Sequence, residues 1–312
     1  MEALDDIAVR TMVPILFLMG AGFLSRRIGV LKPGDERVLS AYLYYFALPA
    51  LFIVNLAEAE FTQETLTFML AGILPIFIVM AVYILLYLAL RVPRSTFYLL
   101  ALSTIFGSLT FFGLPFVTFA YPTEGERLGT LSSAFIALVS VTLALILFEA
   151  YRLEDPTKWN GVKHVAKRLA RNPLIISILL GIALSLVGLD MPAPISGPLH
   201  MLGSTTFVVA IFMLGVFLQG RRYTKIGDAF KLSLLRMLFL PTVAFLTLRL
   251  FGLSGVEGSV LVIMHGTPLA VSMIILSERY DFYKETIASL ILFSSLMATV
   301  YLNLWLLLLG QF

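Results

Sequence analysis

Two short strings in this chain combine residue types and spacing that could do chemistry: Gly113-Leu114-Pro115 and His265-Gly266-Thr267-Pro268. Each lies inside a long apolar run, TIFGSLTFFGLPFVTFAYP at 104–122 and VLVIMHGTPLAVSMIILSE at 260–278. Proline removes a backbone donor and clashes with the carbonyl four residues back, and glycine lowers the cost of leaving the helix. A membrane helix broken in this way exposes N–H and C=O groups at membrane depth, which is tolerable only against protein or a watery cavity. The half-helix that starts at the proline aims its positive dipole end at the break. Two such ends converging would hold an anion without a charged side chain. Pro14, Pro49, Pro75 and Pro241 also interrupt apolar runs and read as ordinary kinks. The matched Gly-x-Pro is what sets Pro115 and Pro268 apart.

The polar residues near these strings give two readings each. His265 is the one histidine in the hydrophobic interior; it either binds a carboxylate or a proton, or donates to a freed carbonyl. Thr110 and Thr267 are the hydroxyls nearest the breaks. Ser103, Thr104, Ser108, Thr118, Ser272 and Ser277 surround them, where hydroxyls also cement helices. Asn55 and Asn303 are isolated amides, and Phe111, Phe112 and Phe116 would shape a pocket. The candidate substrate-binding set is therefore Asn55, Thr110, Gly113, Pro115, Phe116, His265, Gly266, Thr267 and Pro268. A sodium site needs several oxygens, often including a carboxylate, and no acidic residue falls near mid-span. Glu149 and Glu278 are expected at cytoplasmic ends beside Arg152 and Arg279, and Arg236 and Arg249 are expected to snorkel from one span to the two interfaces, with guidance of an anion as the other reading.

The elements that must position these residues follow from composition. Of 312 residues, 59% are hydrophobic and 13% charged, about half the charged fraction of a globular domain. Apolar runs are continuous rather than alternating, which favours helices over a barrel. Ten spans are expected, near 7–24, 38–57, 66–90, 96–121, 128–150, 173–189, 198–219, 228–252, 255–278 and 286–309. The acidic start MEALDD argues that the first span is retained rather than cleaved as a leader. Most of the 22 Lys and Arg fall in one alternating set of loops, including Arg26, Lys32, Arg94, Lys163, Arg171, Arg222 and Lys284. The positive-inside rule puts that set in the cytoplasm and both termini outside. The basic loop 151–172 divides the chain into five spans and five; an odd number gives similar halves opposite topology, as in inverted repeats. The expected organisation is thus a first repeat 1–150, a cytoplasmic linker 151–172 and a second repeat 173–312.

The same composition excludes other classes. Without cysteine there is no disulfide, thiolate metal site or cysteine nucleophile. Net charge of +3 gives no nucleic-acid footprint. Zincin, P-loop and nucleophile-elbow motifs are absent. Neither an enzyme nor a bound cofactor or metal is expected.

The ordered strings LPALF (48–52), FGLPF (112–116), RNPLIISILLGIALS (171–185), HGTPLAVSMIILSERY (265–280) and SLILFSSL (289–296) resemble the auxin efflux carrier family of the bile-acid/auxin transporter superfamily. The resemblance covers nearly the whole chain. It implies an all-α polytopic membrane protein whose ten transmembrane helices form two inverted five-helix repeats, with broken helices 4 and 9 crossing at Pro115 and Pro268. It also implies secondary transport of a small organic anion by elevator-like alternating access, a scaffold that forms homodimers, and a plasma-membrane setting. Phe116 and Leu269 stand where plant auxin carriers are expected to carry Asn, and their long hydrophilic loop is missing. Auxin is therefore a poor match, and the resemblance to the short, prokaryotic-type members of the family implies malate, malonate or another small carboxylate as the substrate. The alternatives are a sodium-coupled symporter of the bile-acid type and an auxin-like exporter or uniporter of weak acids. H⁺ or Na⁺ is the candidate coupling ion.

Overall fold

Long apolar runs leave backbone groups no water to bond, so each run closes its hydrogen bonds internally as helix. The computed structural model describes residues 2–152, 167, 170–220 and 224–310. Lys158, Lys163, Arg168, Arg221 and Arg222 lie outside the described residues, as does most of the expected linker. The side chains of Arg152, Glu278 and Arg279 are likewise not described. Helices run over Glu2–Arg27 (α1), Glu36–Ala57 (α2), Gln63–Leu90 (α3), Arg94–Ile105 (α4), Leu109–Ala120 (α5) and Gly125–Arg152 (α6). They continue over Pro173–Val187 (α7), Ala193–Leu218 (α8), Ile226–Phe251 (α9), Gly255–His265 (α10), Met273–Tyr280 (α11) and Lys284–Leu309 (α12).

Among the described residues α2, α3, α6, α8, α9 and α12 are each long and apolar enough to cross a membrane. The segments α5, α7 and α10 are shorter apolar helices. Two expected spans are each divided, one into α4 and α5, the other into α10 and α11. Phe17, Leu88, Leu186 and Leu250 are among many large apolar side chains left exposed, a surface suited to lipid rather than water.

Prolines inside these helices fall into two kinds. Leu43–Ala47, Leu109–Gly113 and Leu235–Phe239 are π-helical turns, and each is followed at once by a Leu-Pro pair: Leu48-Pro49, Leu114-Pro115 and Leu240-Pro241. A wider turn gives the proline ring room against the carbonyl four residues back. Pro14 and Pro75 lie within α1 and α3. The chain is thus helical through Gly113 (φ −62°, ψ −51°) and Pro115, which corrects the expectation that Gly113-Leu114-Pro115 forms a break. Pro115 is of a kind with Pro49 and Pro241.

The chain divides into two compact units, each drawing segments from both halves of the sequence. The first comprises Met1–Thr67, Thr110–Ala134 and Arg171–Arg222. Within it α1 packs against α8 where glycines bring the backbones together: a Cβ on Gly215 would lie 1.9 Å from Met19 O. One on Gly22 would lie 2.0 Å from Phe212 O. Small residues at close crossings are how membrane helices gain packing energy. Tyr42 and Thr205 hydroxyls pair at 2.8 Å between α2 and α8, and Arg26 bonds Glu36 at 2.9 Å. The second unit comprises Phe68–Leu109, Phe135–Ala170 and Tyr223–Phe312. It holds α4, α9, α10, α11 and α12, and with them the site below.

Candidate functional site

Two interrupted stretches of the second unit cross one another. α4 ends because Phe106 leaves the helical region (φ −94°, ψ 75°), and α5 begins at Leu109. α10 ends at His265 and α11 begins at Met273. Gly107 and Leu269 meet between these ends as an isolated antiparallel bridge. The Ser108 amide donates to Pro268 O at 2.7 Å, and the Ala270 amide donates to Phe106 O at 3.0 Å. Pro268 therefore lies in an extended break, as expected, but helix resumes at Met273 rather than at the proline. The first break is at 106–108, upstream of Gly113 and Pro115. The freed amides are largely taken up by the crossing itself.

Arg236, in the π-turn of α9, fills the remaining demand. Its Nε donates to Thr267 O at 2.6 Å, one Nη2–H to His265 O at 3.2 Å, and the other to Thr267 Oγ1 at 3.1 Å. Nη1 donates to Thr104 O. The side chain is 2% exposed, which corrects the expectation that Arg236 snorkels to an interface. The physical reason is that the C-terminal ends of α4 and α10 leave orphan carbonyls, and a planar fork of five donors can serve several at once. Gly107 is required here: a Cβ would lie 2.0 Å from Arg236 Nη2 and 2.6 Å from Thr267 Oγ1.

The other carbonyls are matched as closely. Tyr301 OH donates to Gly266 O at 2.6 Å, and Ser294 Oγ accepts from the Leu269 amide at 3.2 Å. The Trp305 indole donates to Met237 O at 2.8 Å, the carbonyl that Pro241 leaves without its helical donor. His265, 1% exposed, sets Nε2 at 2.7 Å from Gly72 O on α3. A carbonyl only accepts, so Nε2 carries the proton. Thr267 Oγ1 donates to Met264 O at 2.9 Å while accepting from Arg236. Ser103, Thr104 and Ser277 bond carbonyls of their own helices. Ser272 opens α11 with no side-chain cap bond, and Ser108 leaves its hydroxyl unpaired among the described residues. Val271 and Ser272 are partly exposed, whereas 265–270 are buried.

Of the expected site residues, His265, Gly266, Thr267 and Pro268 come together at this crossing. Asn55, Thr110, Gly113, Pro115 and Phe116 belong to the other unit. There Asn55 donates to Thr130 Oγ1 at 3.2 Å, and Phe116 stacks on Phe112 with ring centroids 6.5 Å apart. Glu149, expected beside Arg152, accepts from Tyr280 OH at 2.6 Å. Gly107, Tyr301 and Trp305 escaped the reading from sequence, and the carbonyl-binding role of Arg236 did too. One signal was available for Arg236: a cation within a span, five residues before a proline, with no acidic residue near mid-span to pair with it. A cavity of about 260 Å³ opens elsewhere in this unit, between Phe245, Arg249, Ser254 and Leu309. Among the described residues no group of three or more His, Asp or Glu gathers as a metal site.

A crossing of interrupted, apolar helices is transporter architecture, and comparison with known proteins agrees. The membrane transport protein family, that of the auxin efflux carriers, matches residues 7–306. The chain belongs to this family. It is similar to an uncharacterized transporter of Methanocaldococcus jannaschii, 24% identical over 93% of this chain and 95% of the relative. A Rhizobium meliloti protein provisionally named a malonate transporter is 23% identical over 92% of this chain and 91% of its own. Auxin efflux carrier component 1 of Arabidopsis thaliana is 28% identical over 47% of this chain and 25% of the carrier. The auxin efflux carrier family member described here is therefore an integral membrane transporter with a small-molecule substrate, not an enzyme.

Proposed function

We propose that this protein is a secondary carrier of a small carboxylate, of the size of malonate or malate, working by alternating access at the helix crossing. In this reading ten spans form two inverted repeats, 1–150 and 173–312, around the cytoplasmic linker 151–172. The protein sits as a homodimer in the plasma membrane with both termini outside. The observation that carries the reading is the antiparallel pairing at Gly107 and Leu269, which joins the interruptions of two broken helices. Beside it, the positive end of α11 and the unpaired hydroxyls of Ser108 and Ser272 offer donors to a carboxylate. Val271 and Ser272 are the partly exposed part of that stretch, and Ser108 is buried beside the pairing. Thr267 and Pro268 shape the crossing, and His265 anchors it to α3. The relative provisionally named for malonate supports the substrate class.

The test is uptake of labelled malonate by liposomes containing the purified protein, in competition with a panel of mono- and dicarboxylates. Saturable uptake that is accelerated by carboxylate loaded on the opposite side is the expected result. Flux that rises linearly with concentration, or indifference to every carboxylate, overturns the reading.

A further inference from the structure

We infer that the Arg236 guanidinium is a tethered cation, standing at the crossing where a mobile alkali cation would otherwise bind, so that the carrier works without Na⁺. In transporters built on broken helices, the carbonyl ends of half-helices and the unwound carbonyls are the groups that coordinate Na⁺. Here those groups are Thr104 O, His265 O, Thr267 O and Thr267 Oγ1, four oxygens from two chain stretches, and a guanidinium N–H is bonded to every one of them. Such an oxygen set would suit a hard cation if it were vacant.

The charge balance points the same way. Each helix C-terminus carries about half a negative elementary charge, and α4 and α10 both end on this one side chain. Two such ends offset about one positive charge. No carboxylate among the described residues pairs with Arg236, and the titratable side chains around it are His265, Tyr83 and Tyr301. A Na⁺ added beside the guanidinium would set two positive charges against the same two helix ends. Space agrees as well, since Gly107 is held to a hydrogen atom by Nη2.

This inference deepens the carrier reading at its crossing, but its test reads cation binding with no substrate present, so either can fail without the other. Thermal unfolding of the purified protein is followed in choline chloride while NaCl, KCl or millimolar guanidinium chloride replaces it at constant ionic strength. The wild-type Tm is expected to be the same in Na⁺ as in choline. Arg236→Ala is expected to lose about 5 °C or more, and to recover at least about 3 °C in a saturable manner with guanidinium or Na⁺. Arg236→Lys, which keeps the charge but not the fork, is expected to fall below wild type too, and it carries the test if Arg236→Ala does not purify as a monodisperse protein. A saturable Na⁺-specific rise in the wild type overturns the inference. So does a folded Arg236→Ala with no cation response, or an Arg236→Lys protein, which still carries a tethered charge, whose Tm rises saturably and specifically with Na⁺.

Discussion

Gly107 and His265 show how little freedom single positions have at the crossing. Gly107 sits against Arg236 and Thr267, so Gly107→Ala forces the guanidinium off its carbonyls or pushes the two breaks apart. Overpacking of this kind costs about 1–3 kcal/mol; a lowered Tm and reduced malonate uptake are the expected outcome, and wild-type behaviour in both would count against the geometry. His265 was legible as the notable polar residue in the interior, but its partner was not, because Gly72 is 193 positions away. His265→Gln retains a donor for Gly72 O and is expected to keep most uptake with an unshifted pH profile. His265→Leu strands that carbonyl and should cost about 1–3 kcal/mol of stability. A flattened pH profile in His265→Gln would instead assign the ring to proton coupling.

At the scale of elements, the decisive device is the π-turn before a Leu-Pro pair. In α9 it does two things: it turns Arg236 toward the crossing, and it leaves Met237 O for the Trp305 indole. Restoring the α-helical donor with Pro241→Ala removes the reason for the wide turn. Loss of one bulged residue rotates Arg236 by about 100° about the helix, so Pro241→Ala is expected to abolish uptake. Pro49→Ala, in a π-turn of the other unit, is the control that should not reach Arg236. Trp305→Phe keeps the ring but not the N–H and should cost about 1–3 kcal/mol in thermal unfolding. The Gly-x-Pro reading located the break at Pro268 because there the chain has no helical partner for the freed groups and pairs with Phe106–Ser108 instead. The same reading failed at Pro115, whose ring is absorbed by the preceding π-turn, as at Pro49 and Pro241. Gly-x-Pro, shared by Pro115 and Pro268, does not by itself tell the two outcomes apart.

For the whole molecule, each compact unit takes segments from both sequence halves, so the long-range pairings that make a unit cut across the division at 151–172. Membrane orientation is the proposal most directly open to test, because the chain has no cysteine. Single substitutions Val30→Cys, Thr123→Cys and Asp190→Cys fall at exposed loop positions of the described residues. With a membrane-impermeant maleimide on intact cells, Thr123→Cys and Asp190→Cys should label from outside and Val30→Cys only after permeabilisation; the reverse pattern inverts the topology. Composition and apolar run length alone determined that the chain is helical and embedded in lipid, since a backbone without water has few ways to close its hydrogen bonds. Only the tertiary structure decided which break is real and what an arginine does there. Those answers depend on carbonyls and side chains that are far apart along the chain and become neighbours only when the unit packs.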